Sequence, residues 1–493
     1  MLPSTNREDF RVVHLDQIEP AYAQFDGDMF AGTLPSRKGG RLSFWLFAPR
    51  HPTYDDALTV WMNGGPGCSS FGGCLFEHCP VTIGLYPSGY YGIPSDTPLS
   101  YNNYSWTHAT HMLYVEQPQG TGFSSGPMPR DESDVAKDFA GFLEHFYQVF
   151  DDWKPKRLFF AGESYAGMYV PSIARYLHRH SDANLHGIAL GNGWMDAKVQ
   201  GPAVIDYAWW HGMIDRPTQQ TLHRAWKACQ TGEKLPEWLH DFTTPDECGI
   251  MSAVLQAAGA DVVDWGGPNA YDVTTWDSYY VLDDPKGTMA EFYNNPAVQD
   301  ALHMPRQYWY ECLPGAGRRL EELPGKILLA HDRPISVIPY VAELLDAGVR
   351  VLIYNGDRDM TTNGPSTEVL LDEMQWSGAQ GWMDEYSRGL WLPKEKQLGG
   401  YVRHYRNLDF VVVANSGHLV PFNEPDVALD LITRFVGNKT FADEDLPLFH
   451  FPKASSHTAS PGLRDVMILM IGLVLGWYMH RCRKPTGYHT LSG

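Results

Sequence analysis

Apolar and polar positions follow two alternating patterns along the first 200 residues of the chain. Short apolar runs predict strands at 29–31, 42–47, 58–62, 112–115 and 157–161. A second set of apolar residues recurs at helical spacing and predicts an amphipathic helix. Its members are Val135, Phe139, Phe142, Phe146 and Phe150. This alternation is typical of a mostly parallel sheet with helices on both faces, so we predict the α/β class.

The alternation stops near the middle of the chain. The segment 201–290 is rich in Trp, Gln and Gly, and we predict a helical or irregular insertion that caps the active face of the sheet. The strand pattern then resumes, with apolar runs at 349–354 and 410–414. We therefore expect the sheet domain in two parts, 1–200 and 291–438, with the cap insertion between them.

The C-terminal segment has a different composition. We predict a stalk at 439–465, a transmembrane helix at 466–480 and a cytoplasmic tail at 481–493. The uncharged run 466–479 would cover about 21 Å, which is short of a hydrocarbon core of about 30 Å. Three basic residues follow it, as expected on the cytoplasmic side of a span. The alternative is an amphipathic or core helix.

The route into the membrane is not visible in the sequence. Residues 1–20 contain no apolar stretch typical of a signal peptide, so we expect the start of the sequence to be incomplete. Entry through the C-terminal segment, or the absence of a span, are alternatives. Two glycosylation sequons, at Asn103 and Asn438, favour the secretory route.

Composition and charge narrow the range of functions. Charged residues make up 19% of the chain and hydrophobic residues 43%, which is a globular composition. The formal charge is −20 and there is no basic stripe, so we predict no nucleic-acid partner. The seven cysteines show no spacing typical of zinc, and we predict no metal and no cofactor. Their number fits either disulfides or scattered thiols.

The strongest chemical motif is Gly162-Glu163-Ser164-Tyr165-Ala166-Gly167, between a predicted strand and a predicted helix. A serine on such a turn projects its hydroxyl clear of the sheet and makes Ser164 the candidate nucleophile. Two aspartates, Asp357 and Asp359, follow a later strand, and His418 follows the last one. The order Ser, Asp, His is that of α/β-hydrolases, with all three groups at the active edge of the sheet. Spacing does not choose between the two aspartates.

Two further features surround the nucleophile. Asn63-Gly64-Gly65-Pro66-Gly67 follows a strand, and the N–H groups of Gly65 and Tyr165 are candidates for an oxyanion hole; a simple tight turn is the alternative. An ionised Glu163 would repel the oxyanion beside it. If it is protonated, Glu163 and the amide of Asn63 can both donate to a substrate carboxylate. That arrangement predicts recognition of a free peptide C-terminus that weakens as pH rises.

Together these motifs resemble the serine carboxypeptidases of the α/β-hydrolase superfamily. The resemblance covers about residues 15 to 436, in blocks at 61–70, 115–124, 162–171, 191–194, 295–303, 356–359 and 417–421. It implies that Asp359, and not Asp357, completes the triad with Ser164 and His418. It also implies that Asn63 and Glu163 bind the substrate carboxylate, supported by Trp61, and that Glu77 shares a proton with Glu163. These four residues are the candidates for carboxylate binding.

The resemblance also bears on the cysteines. It implies a disulfide between Cys68 and Cys312, and Cys229 with Cys248 would then close the insertion. Cys74 and Cys79 are left over and either pair or stay free. The chain departs from the family at several pocket positions, where glycine is common at Cys79, cysteine at Thr362, methionine at Leu419 and a polar residue at Met168. The preferred terminal and penultimate residues therefore cannot be carried over.

The resemblance implies a serine-type carboxypeptidase that releases C-terminal residues of peptides or proteins, best at acidic pH. An acyltransferase on the same scaffold and a catalytically inactive scaffold protein are the alternatives. Membrane-anchored members act in the late Golgi, and Gly487-Tyr488 with Leu491 resembles the tail of lysosomal membrane proteins. We expect a single-pass anchor, a lumenal catalytic domain and a late-Golgi, lysosomal or vacuolar location. The sequence does not predict an oligomeric state.

Overall fold

A computed structural model describes most of the chain before residue 443. The described ranges are 5–37, 39–83, 97–231, 249–259, 267–276, 287–313, 329, 335–384, 387–393 and 397–442. The predicted membrane helix and tail lie outside these ranges, as does the stalk beyond residue 442. No helix within them is long and apolar enough to cross a membrane.

A ten-stranded sheet forms the centre of the described fold, in the order β1-β2-β6-β3-β7-β8-β11-β14-β13-β12. The strands are β1 (Gly27–Pro35), β2 (Arg41–Pro49), β3 (Tyr54–Met62), β4 (Val81–Ile83), β5 (Leu99–Tyr101), β6 (Thr110–Glu116), β7 (Arg157–Glu163), β8 (Leu185–Gly191), β9 (Pro268–Asn269), β10 (Asp272–Trp276), β11 (Arg350–Gly356), β12 (Ser387–Trp391), β13 (Gly400–Tyr405) and β14 (Leu408–Val413). The six central strands, from β6 to β14, run parallel, and two antiparallel strands extend each edge. The pairs β4-β5 and β9-β10 form separate ribbons.

Helices cover both faces of this sheet. They are α1 (Leu15–Ile18), α2 (Ser70–Gly73), α3 (Glu132–Val149), α4 (Ala166–His180), α5 (Ala197–Trp210), α6 (Arg216–Thr231), α7 (Ile250–Ala257), α8 (Thr288–Asn294), α9 (Pro296–Ala301), α10 (Ile338–Asp346), α11 (Gly364–Glu373), α12 (Ala379–Asp384), α13 (Val420–Asn423) and α14 (Pro425–Val436). Short 3-10 turns lie at Arg7–Phe10, Pro20–Gln24, Trp106–His108 and Asp151–Trp153, and a π-helical turn at Cys74–His78. The predicted α/β class is confirmed.

The core has one hydrophobic cluster on each face of the sheet, because successive strand residues point to opposite faces. On β3, Val60 packs with α3 and α4, whereas Trp61 packs with α14 on the other face. The phenylalanines predicted to lie on a helix face, Phe139 to Phe146, are buried in the first cluster. Every strand predicted from an apolar run overlaps a strand of the structure, while β8 was missed because His186 and Gly187 interrupt its apolar run.

The predicted cap insertion contains α5, α6, α7 and the β9-β10 ribbon in its described parts. These helices share a third hydrophobic cluster, which includes Val204, Leu222 and Val254 and reaches Met360 of the sheet domain. The predicted boundary at residue 201 falls inside α5, which begins at Ala197 and contains Pro202. The ribbon carries Tyr271, which contacts the site described next.

Candidate active site

Ser164 lies on the sharp turn between β7 and α4. Its φ is +59°, a left-handed conformation that a non-glycine residue adopts only when the surrounding structure imposes it. Close packing imposes it here. A Cβ on Gly162 would lie 2.5 Å from the Met62 carbonyl oxygen, and one on Gly167 would lie 2.5 Å from that of Trp194. The turn therefore needs its glycines and presents a half-buried serine at the carboxyl edge of the sheet.

His418 and Asp359 meet at the same edge, after β14 and β11. The Nδ1 atom of His418 lies 2.8 Å from Oδ2 of Asp359, and both side chains are buried. Asp357, the alternative that spacing left open, accepts instead from the Ser416 backbone N–H at 3.2 Å. The Nε2 atom of His418 is buried and has no hydrogen-bond partner in the described part of the chain. It is the atom that a general base needs free, and it lines the same cavity as Ser164.

Three residues without a predicted catalytic role hold Asp359 in place. Asn192, at the end of β8 with a φ of +44°, donates its side-chain N–H to Asp359 at 2.7 Å and accepts from the Gly356 N–H at 3.2 Å. The Thr362 hydroxyl lies 2.8 Å from Oδ2 of Asp359, and the Thr361 N–H donates to Oδ1 at 2.8 Å. The available signal for Asn192 was its place in the 191–194 block of the resemblance, whereas Thr362 drew attention only as a departure from the family.

The oxyanion candidates lie on two turns that touch. Gly64 packs so closely on the serine turn that a Cβ there would lie 2.7 Å from the Cβ of Ser164, and still closer to the backbone nitrogen of Tyr165. Gly65 follows with a φ of +110°, a conformation that suits glycine alone. Gly65 thus lines the same cavity as Ser164, and Tyr165 follows Ser164 directly in the chain.

The four carboxylate-binding candidates form one connected group. Trp61 donates its indole N–H to Oδ1 of Asn63 at 2.6 Å, which turns the amide NH2 of Asn63 toward Glu163. That NH2 lies 3.1 Å from Oε1 of Glu163. The carboxyl of Glu163 interacts with that of Glu77, and both line the same cavity. Gly73 has no side chain because a Cβ there would collide with the Asn63 amide. We refer to Asn63, Glu77 and Glu163 as the clamp.

The protonation of the clamp follows from its burial. Burial raises the pKa of Glu163 to about 7, although the nearby His418 acts in the opposite direction. Burial and the neighbouring Glu163 charge raise the pKa of Glu77 well above its usual range. Two buried carboxyl groups in contact cannot both ionise cheaply, so the pair keeps at least one proton in acid and neutral solution.

The protonation of His418 depends on the same carboxyl groups. Burial lowers the pKa of His418, but the charge and hydrogen bond of Asp359 outweigh it, and the charge of Glu163 adds to the rise. A raised pKa opposes activity in acid, because His418 must be neutral to accept a proton. When Glu163 is protonated its contribution disappears. A neutral clamp therefore helps His418 to stay a base in acid.

A cavity of about 100 Å³ joins these groups in the described part of the molecule. Its walls include the serine, the histidine, the clamp, Phe76, Glu311, Leu419 and the Cys68–Cys312 disulfide. Tyr271 closes one side of the cavity. Its ring stands edge-on to the His418 ring, with ring centres 4.7 Å apart, and its backbone carbonyl accepts from the backbone N–H of His418 at 2.7 Å. Sequence reasoning missed Tyr271 because its segment of the insertion carries no motif.

The cysteines and the sequons complete the predicted sites. Cys68 pairs with Cys312, as the resemblance implies, and the leftover Cys74 and Cys79 pair with each other. Cys229 is disulfide-bonded, and Cys248 lies outside the described ranges. Both sequon asparagines are exposed. No group of three or more His, Cys, Asp or Glu residues in the described ranges is arranged to hold a metal ion.

Comparison with known sequences identifies relatives along most of the chain. The family model of serine carboxypeptidases matches residues 20–438. The chain is 31% identical over 429 residues to the pheromone-processing carboxypeptidase KEX1 of Paracoccidioides brasiliensis (strain Pb03), covering 81% of this chain and 63% of the relative. It is 32% identical over 440 residues to that of Phaeosphaeria nodorum, covering 83% and 64%. The chain thus spans less than two-thirds of the length of these relatives.

A solved structure shows the same architecture. The crystal structure of Kex1(delta)p, a prohormone-processing carboxypeptidase from Saccharomyces cerevisiae, matches with a TM-score of 0.74 and 26% identity. The match covers 90% of this chain and 98% of that chain. The fold is therefore the α/β-hydrolase fold, with its mostly parallel sheet between two layers of helices. By its sequence and its fold, the chain belongs to the serine carboxypeptidase family.

Proposed function

We propose that the chain is a serine-type carboxypeptidase that removes C-terminal residues from peptides or proteins and works best in acid. One observation carries the proposal: Ser164, His418 and the clamp line one cavity, and His418 is hydrogen-bonded to Asp359 behind it. The first two supply acyl transfer, and the clamp restricts that chemistry to the end of a chain. Family membership supports the same activity.

The reaction uses the buried pair as a general base and then as a general acid. His418 Nε2 takes the proton of Ser164 as its Oγ attacks the carbonyl of the last peptide bond. The N–H groups of Gly65 and Tyr165 stabilise the oxyanion. His418 then protonates the amine of the departing residue, which leaves an ester on Ser164, and water hydrolyses the ester by the same steps. Asp359 keeps Nδ1 protonated and stabilises the imidazolium.

The clamp makes the enzyme an exopeptidase. The Asn63 amide and a protonated carboxyl of the Glu77–Glu163 pair donate to the two oxygens of the substrate's terminal carboxylate. As pH rises through about 7, Glu163 loses its proton, loses a donor and repels the substrate carboxylate. Substrate affinity therefore falls on the alkaline side.

A pair of matched peptides tests this proposal. A peptide with a free C-terminus and the same peptide amidated differ only in the group that the clamp binds. We expect kcat/KM for the amide to be lower by about 100-fold, the equivalent of one or two hydrogen bonds to a charged group. Ser164→Ala serves as the control for contaminating peptidases. Equal rates for the two peptides would instead indicate an esterase or an endopeptidase.

We also propose the secretory route, with the catalytic domain lumenal and 466–480 as its membrane anchor. Disulfides between Cys68 and Cys312 and between Cys74 and Cys79, and exposed sequons at Asn103 and Asn438, support an oxidising compartment. Expression from the natural gene in a eukaryotic cell tests it: the protein should carry N-glycans and stay with membranes after alkaline extraction. A version ending at residue 442 should be released. Unglycosylated protein would contradict the route, and extractable full-length protein would contradict the anchor.

A further inference from the structure

The loop that carries Glu77 is closed by its own disulfide. Cys74 and Cys79 are bonded to each other, and the Cys79 N–H donates to the Cys74 carbonyl at 3.0 Å. We call this segment, Cys74 to Cys79, the Glu77 loop. Every residue in it is buried, although it contains a glutamate and a histidine. The resemblance assigns no role to this disulfide, since glycine is common in the family where Cys79 lies.

Three successive side chains of the Glu77 loop contact three different parts of the active site. Phe76 stacks on Phe422, with ring centres 4.5 Å apart, in the helix that begins two residues after His418. The carboxyl of Glu77 interacts with that of Glu163, and both line the active-site cavity. His78 stands edge-on to Trp61 at 4.3 Å, and Trp61 orients the clamp amide.

The backbone must coil tightly to send consecutive side chains in three directions. The Glu77 loop does so through one π-helical turn, a conformation that is rare and that is frequently found at functional sites. Such a turn is not stable by itself, because short helices have too few hydrogen bonds to repay their ordering. A covalent bond across its two ends restricts the alternative conformations.

From this arrangement we propose that the Cys74–Cys79 disulfide is a positioning element of the clamp. It holds the carboxyl of Glu77 against Glu163 and thereby sets the affinity for a free peptide C-terminus. It does not take part in acyl transfer, because neither cysteine touches Ser164, His418 or Asp359 in the described contacts. The inference rests on the proposed function, since it concerns the affinity of the same clamp.

The test is a double variant, Cys74→Ala/Cys79→Ala, assayed on the free and the amidated peptide. We expect KM for the free peptide to rise about tenfold, comparable to one weakened hydrogen bond to a charged group. We expect kcat to change little and the amide rate to stay constant, so that the preference for the free peptide falls about tenfold. Val135→Ala is the control, because it removes core volume on the other face of the sheet without touching the clamp.

A double-mutant cycle assigns the effect to Glu77. In a Glu77→Ala background, removing the disulfide should leave the preference for the free peptide unchanged, since the group it positions is gone. Cys74→Ser/Cys79→Ser is the second variant if the alanine version does not fold.

Three results would overturn the inference. One is a disulfide-free variant that keeps the full preference for the free peptide. Another is a loss in kcat that is equal for both peptides, which would mean a general structural role. The third is a wild-type enzyme without any preference; it removes the proposed clamp, whereas the first two leave the proposed function intact.

Discussion

Two groups of buried carboxyls lie on either side of Ser164, and their surroundings differ. Asp359 faces His418, an imidazole that becomes cationic during the reaction, and accepts further hydrogen bonds from Asn192 and Thr362. Glu163 faces another carboxyl, that of Glu77. Asp359 is hydrogen-bonded to His418, which compensates its charge, whereas His418 acts on Glu163 without a hydrogen bond and does not offset its burial. One side of the cavity is thus arranged to carry a negative charge and the other to keep a proton.

Glu116 shows that hydrogen bonds alone do not produce this difference. Glu116 accepts hydrogen bonds from the segment that follows Gly67. Its donors are the Ser69 hydroxyl at 2.7 Å and the Ser70 backbone N–H at 3.1 Å. Burial nevertheless raises its pKa to about 7. A buried carboxyl with donors but without a cationic partner therefore keeps its proton up to near-neutral pH.

The largest effect is expected when the negative charge of Asp359 is removed. Asp359→Asn replaces the carboxylate by an amide and allows the wrong imidazole tautomer, so kcat should fall by about 10⁴-fold with little change in KM. Asp357→Asn is the matched control two residues away and should retain most activity. Steady-state kinetics of both variants decides the assignment. A greater loss in Asp357→Asn would reverse it.

The next largest effect should be on the pH dependence of activity and should come from Glu163 of the clamp. Glu163→Gln replaces a donor that needs a proton by one that does not, so peptide hydrolysis should persist at alkaline pH. In the wild type, kcat/KM should fall about tenfold per pH unit above about 7, as Glu163 deprotonates. The ratio of activity at pH 8 to activity at pH 5, measured on the free peptide, checks this. An unshifted profile counts against the clamp.

A smaller effect is expected from the support of Asp359. Thr362→Val removes the hydroxyl beside Oδ2 of Asp359, and kcat should fall about tenfold, the equivalent of one hydrogen bond to a charged group. Thr362→Ser should restore the rate. Thr361→Val is the control, since the Thr361 hydroxyl lies 3.2 Å from the Ala270 carbonyl oxygen instead. An unaffected kcat in Thr362→Val would show that the aspartate needs no hydroxyl.

The last prediction concerns stability instead of activity, and it involves the buried Glu116. The pKa of this group is raised from 4.5 to about 7 in the folded state, so its contribution to stability is full below about 4.5 and is lost as pH rises to about 7. Glu116→Gln should flatten the decrease in unfolding free energy over this range, by about 3 kcal/mol. Urea unfolding at pH 4.5, 6 and 8 measures it. The same slope in both proteins would place the titration elsewhere.

Sequence reasoning performed differently on the two sides of the cavity. The charged side was predictable because a serine turn, an aspartate and a histidine each follow a strand, and parallel strands bring their carboxyl ends to one edge. The choice of Asp359 over Asp357 needed the family resemblance, since both follow the same strand. Asn192 received no role because its contact with Asp359 joins residues 167 positions apart.

The protonated side was predictable only in part. The sequence pointed to an unusual protonation state of Glu163, because this residue adjoins the nucleophile. Glu77 was identified from the resemblance alone. The pairing of Cys74 with Cys79 stayed open, since cysteine spacing does not show whether two thiols meet. Tyr271 could not be predicted, because it reaches His418 through the tertiary packing of the insertion.

Infrared difference spectroscopy tests the central claim most directly, because it detects the C=O stretch of a protonated carboxylic acid. Wild-type spectra are compared with those of Glu163→Gln and Glu77→Gln between pH 5 and 8. The account predicts a protonated carboxyl band at pH 5 that both substitutions alter and that weakens as pH rises through about 7. Two ionised carboxylates at pH 5 would contradict the account.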